Sequence, residues 1–132
     1  MRNLILLLIG LFLGAMGATV VSNTLQQRSA YARGAMNVMQ HHYVSLREDI
    51  RARRCGDANR SAFAIAQLRA LSAEIAPSTH PDSTPEAPFR EFLQRLDSEL
   101  AAATPPPAKC AELAPLVQKI GKVCDDCHQQ YR

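Results

Sequence analysis

The stretch LAPLVQKIGKVCDDCHQQY, residues 113–131, decides the fold. Leu113, Leu116/Val117, Ile120, Val123/Cys124, Cys127 and Tyr131 recur every three or four positions, the period of one helix face. The spacing predicts a final helix over about 108–131, with Pro115 disturbing its first turns. The same period appears three more times upstream. Ala32, Ala35/Met36, Met39, Tyr43, Leu46 and Ile50 mark a helix over about 29–53, and Phe63/Ala64, Ile65, Leu68, Leu71/Ser72 and Ile75 one over about 58–76. Phe89, Phe92/Leu93, Leu96 and Leu100 mark a third, with Thr84 as its expected N-cap and Pro85 as its first residue. Cys55-Gly56-Asp57, Pro77 to Pro81 and Thr104 to Pro107 punctuate them, Gly56 suited to end a helix, Asp57 to cap the next, and Pro77 to stop the second.

The expected architecture is all-α, an antiparallel up-down-up-down four-helix bundle with an N-terminal hydrophobic leader or anchor helix. Composition agrees: 47% of residues are hydrophobic, only 5% are aromatic, and Trp is absent, a balance that favours helices over strands. At 132 residues there is room for one domain. The formal charge of +3 comes from scattered basic residues, so no nucleic-acid surface is expected. The Arg-rich stretch 47–54 includes Glu48 and Asp49 and reads as a solvated helix face.

Residues 1–22 differ from the rest. After Arg2, no charge occurs before Arg28, and Leu4 to Val21 is almost unbroken apolar sequence. This is an export segment, either a signal peptide cut near Ala18 or a retained inner-membrane anchor over residues 4–21. Residues 23–132 then form a domain delivered to the periplasm, soluble or anchored, touching the membrane only through the N-terminal segment.

Cys124-Asp125-Asp126-Cys127-His128 carries the chemistry. Two thiols one helical turn apart suit addition to the two vinyl groups of a haem, and the adjacent imidazole is placed to ligate iron. A thioredoxin-like pair wants a βαβ context, and a zinc site needs a second pair of ligands; neither is present. One covalent haem c is the expected cofactor, on Cys124 and Cys127, with His128 as proximal iron ligand.

In an antiparallel bundle Cys55 and Cys110 fall together at the end away from the CxxCH, so a disulfide is expected, with free thiols the alternative. That bridge levels the helices. Cys110 and His128 lie 18 residues apart, ~27 Å at 1.5 Å per residue. The same count back from Cys55 reaches residue 37, which puts Met36 and Met39 beside the haem level. A thioether there suits a distal iron ligand, Met36 before Met39, against the alternative that both are core filler. Arg33 suits a propionate contact, or else is solvated. His41, His42 and His80 read as surface or capping residues.

With these residues in place, the chain resembles the cytochrome c′ family over about residues 28–132. The most specific match is the ending Cys124-Asp125-Asp126-Cys127-His128-Gln129-Gln130-Tyr131-Arg132; residues 31–43 are similar to the family's first helix. The resemblance implies a haem on the last helix, and a gapless match puts the distal position on Met36. It departs where the family usually holds an Arg near a propionate: that place falls on Ala32, with Arg33 next to it.

The resemblance implies one-electron transfer between redox partner proteins with His/Met ligation. Its alternative is a five-coordinate haem protein binding nitric oxide or carbon monoxide, as family members with a bulky non-ligating distal residue do. A homodimer is also consistent with the family. An enzyme such as a peroxidase would need distal acid-base groups that only His41 or His42 offers, so no catalytic activity is expected.

Overall fold

In the computed structural model the backbone is described for residues 2–80 and 82–131, and the side chains of residues 2–6, 8, 24–29 and 58 lie outside the description. Among the described residues the structure is all-helical: α1 (Arg2–Arg51), α2 (Ala58–Thr79), α3 (Ala87–Ala102) and α4 (Cys110–Gln130). α1 packs on α2 and α4, and α3 on the same two helices, so the four meet in a ring.

α1 does not begin near residue 29 as the sequence pattern suggests. One unbroken helix runs from Arg2 through Ser22-Asn23-Thr24, with no Pro or Gly between Ala18 and Arg33 to break it. The leader itself, over residues 4–21, falls partly on side chains outside the description. Among the described residues no helix is long and apolar enough to cross a membrane.

The end of α1 is closed by Arg53 rather than Gly56. Arg53 takes a left-handed φ of 55°, the Arg54 amide donates to the Asp49 carbonyl at 2.8 Å, and the Arg53 amide donates to Ile50 at 3.1 Å. This pair of bonds satisfies carbonyls that a helix end otherwise leaves unpaired. Asp49 is almost fully buried here, and its carboxylate meets Arg54 at 3.0 Å and Arg60 at 3.1 Å. Asp57 caps α2 as expected, accepting from the Arg60 amide at 3.2 Å.

Two other helix ends differ from expectation. α2 continues through Pro77 to Thr79: the proline removes one amide donor, while the hydroxyls of Ser78 and Thr79 donate to the Ile75 carbonyl at 2.9 and 2.7 Å. α3 starts later than Thr84-Pro85. Glu86 is its extended N-cap and Pro88 sits within the first turn, where a missing N–H costs nothing.

The interior is uneven. Leu46, Cys55, Ser61, Ile65, Leu100, Leu113, Val117 and Ile120 are fully buried, and Cys55 is joined to Cys110 at one end with their Cα atoms 5.2 Å apart. The opposite half encloses a void.

Candidate functional site

The last two turns of α4 present Cys124 and Cys127 as unpaired, half-buried thiols, with His128 exposed beside them. Burial pushes the Cys124 thiol up to about 11, reinforced by Asp125 and by Cys127 itself, and burial also raises Cys127. Their place at a helix C-terminus acts the same way, since the dipole there disfavours negative charge. Reactive redox dithiols sit in the opposite environment, near a helix N-terminus or a cation that lowers the thiol pKa. These sulfurs are poor thiolates held at fixed spacing.

Beside them lies a cavity of about 480 Å³. α1 contributes Arg33, Met36, Met39 and Tyr43 to its wall; α2 contributes Leu68 and Ile75; α3 contributes Phe89, Phe92 and Leu96. α4 completes it with Val123, Cys124, Cys127 and His128, and Tyr131 follows at the chain's end. Met36 and Met39 of α1 line the same cavity as Cys124, Cys127 and His128 of α4. Met39 is 6% exposed, whereas Met36 is partly buried and Arg33 is exposed at the rim.

Close-packed interiors hold few voids larger than a water molecule. A largely apolar cavity of this size falls in the range that binds a small molecule or cofactor. A porphyrin fits its chemistry: apolar walls from all four helices, two thiols and an imidazole on one side, two thioethers on another, and a guanidinium at the opening. Among the described residues no group of three or more His, Cys, Asp and Glu side chains converges in a way that could hold a metal ion.

The surroundings hold the CxxCH turn in place. Asp126, between the two cysteines, accepts from Lys122 one turn back and from Arg95 on α3, each at 3.1 Å. These hydrogen bonds keep its carboxyl below the usual carboxylate range. Tyr131 packs edge-on against Phe89 at 5.1 Å and Phe92 at 6.1 Å, fastening the end of the chain to α3.

Tyr43 and Gly121 are site residues the sequence reading passed over. A Cβ at Gly121 would overlap the Tyr43 hydroxyl, so the glycine lets a tyrosine of α1 lie directly on the α4 backbone, one turn before Cys124. Both residues also line an open polar groove of about 580 Å³ along the α1–α4 seam, so they stand between that groove and the cavity. The available signal was a glycine in mid-helix, which lowers helix propensity and calls for a packing reason.

None of His41, His42 and His80 lines the cavity. His41 is exposed; His42 packs edge-on against Phe63 at 5.8 Å, and burial followed by the neighbouring His41 lowers its pKa. His80 lies nearer the site, with Nδ1 at 2.9 Å from the Thr79 hydroxyl and its ring 5.0 Å from that of Phe89.

The chain matches no known family model, no curated protein and no solved structure.

Proposed function

We propose that this protein is an exported c-type cytochrome with one covalent haem in the 480 Å³ cavity, serving one-electron transfer. The observation that supports it most is the cavity itself, which joins the CxxCH of α4 to Met36 and Met39 of α1 although they are distant in sequence. Cys124 and Cys127 would form the two thioethers, His128 would ligate iron on the proximal side, and Met36 on the distal side. Arg33 at the rim is the candidate propionate partner. The group supplies an iron centre that cycles between two oxidation states. The side chains supply the rest: Leu68, Ile75, Phe89, Leu96 and Val123 exclude water, and the Asp126 ion pairs fix the helix turn that carries both sulfurs.

The helices are read as an up-down-up-down bundle of the cytochrome c′ kind, with the disulfide at one pole and the cavity at the other. The uncharged N-terminal segment and the disulfide both suit delivery to the periplasm.

The test is the absorption spectrum of the protein made in cells able to attach haem. A doubly linked, low-spin haem is expected, and a colourless product refutes the assignment. Met36→Ala is expected to convert low spin to high spin. An unchanged spectrum removes Met36 as the ligand, and immediate uptake of carbon monoxide by the unaltered ferrous protein favours gas binding over electron transfer.

A further inference from the structure

We infer that the N-terminal half of α1 stays in a lipid bilayer and that its unbroken continuation holds the haem-bearing pole of the domain toward the membrane. The inference rests on the haem reading of the cavity for what lies at that pole.

The described side chains alone do not make a span; in the full sequence, which adds residues 3–6, 8 and 24–27, residues 3–27 carry no charge, ~37 Å at helical rise against a hydrocarbon core of ~30 Å. In the structure Leu7, Leu11, Phe12, Leu13, Met16 and Val21 are all more than half exposed. At 100° per residue these six point in every direction around the axis. A helix that is apolar all round belongs in a protein core or a membrane, and among the described side chains of α1 the first buried one is Ala35. Thr19, the one hydroxyl in the run 4–21, donates to the Met16 carbonyl at 2.8 Å and so needs no water. Arg2 supplies a cation for the cytoplasmic end.

Direction follows from the site. α1 enters the domain at the cavity end, where Met36 and Met39 face the CxxCH, and leaves it at the disulfide end. Counted along the helix from Val21, Met36 lies ~22 Å away and Arg51 ~45 Å. Because no break separates the two halves of α1, the cavity cannot turn to the far side of the domain without bending a helix. The electron-exchange partner that fits is therefore one held in or on the same membrane, with its redox group close above the surface.

The test uses the full chain, made with haem attachment and reconstituted into phosphatidylcholine–phosphatidylglycerol vesicles that carry a headgroup dye quenched by haem. A second chain has a 20-residue Gly-Ser linker, about that length being enough to free the domain, inserted between Gln27 and Arg28. Expected are an intact N-terminal mass, retention on the vesicles through an alkaline wash, and dye quenching at least about fivefold faster in the native chain than in the linker chain. A coloured protein clipped before residue 22, release by the wash, or equal quenching in the two chains overturns the inference while leaving the haem intact. A colourless product removes the haem reading and this inference with it.

Discussion

Gly121 shows what a single missing methyl group permits. Ala is the better helix former by roughly 1 kcal/mol, so an exposed mid-helix glycine would be improved by the exchange. Here the added Cβ meets the Tyr43 hydroxyl, and overpacking of a close helix contact costs about 1–3 kcal/mol. Gly121→Ala is therefore expected to lower stability by a net of up to ~2 kcal/mol in denaturant unfolding. Adding Tyr43→Leu should recover much of the loss, a coupling that independent sites would not show. Cys124 gives a second expectation, for the chain before haem attachment. Its thiol pKa in the fold, about 11, lies above its ordinary value of 9.0. The neutral thiol's contribution to stability is complete below pH 9 and is lost as pH rises toward 11. Alkylation of native Cys124 should accordingly be slow at pH 8 and accelerate across that window, and rapid labelling at pH 8 contradicts it.

The elements are set by their ends as much as by their faces. α1 closes on Arg53, whose left-handed backbone suits glycine better than any branched or long side chain. Arg53→Gly is expected to raise the unfolding free energy by about 1 kcal/mol without touching the Asp49 ion pairs. A loss of stability would show that the Arg53 side chain contributes something the backbone does not. The sequence reading placed all four helical faces but misjudged three ends. The first helix looked to begin near residue 29, Pro77 looked final, and Thr84-Pro85 looked like a start. Each was a sound local preference overridden by context: the unbroken run from the leader into α1, the Ser78 and Thr79 hydroxyls on the Ile75 carbonyl, and Pro88 in the first turn of α3, where its missing N–H costs nothing.

Across the whole molecule the two poles do different work. The Cys55–Cys110 bridge spans 55 residues and ties the start of α4 to the end of α1, while the 480 Å³ cavity lies against the last turns of α4. Replacing both cysteines by Ser is expected to cost about 2–4 kcal/mol of stability through the freed chain entropy. The haem spectrum should stay unchanged, because the bridge lies at the far end of the domain. A spectral shift in that variant would mean that the two poles are mechanically coupled.

The sequence alone determined the helical class, the spacing of Cys124, Cys127 and His128 on one helix turn, and the partner for Cys55, since all of these follow from fixed spacing along a helix. Only the tertiary structure decided that the walls of four helices leave a 480 Å³ void, that Tyr43 rests on Gly121, and that α1 continues unbroken from its leader. Periodicity records which face of a helix turns inward; it does not record how closely two backbones approach, nor whether the space between them is filled.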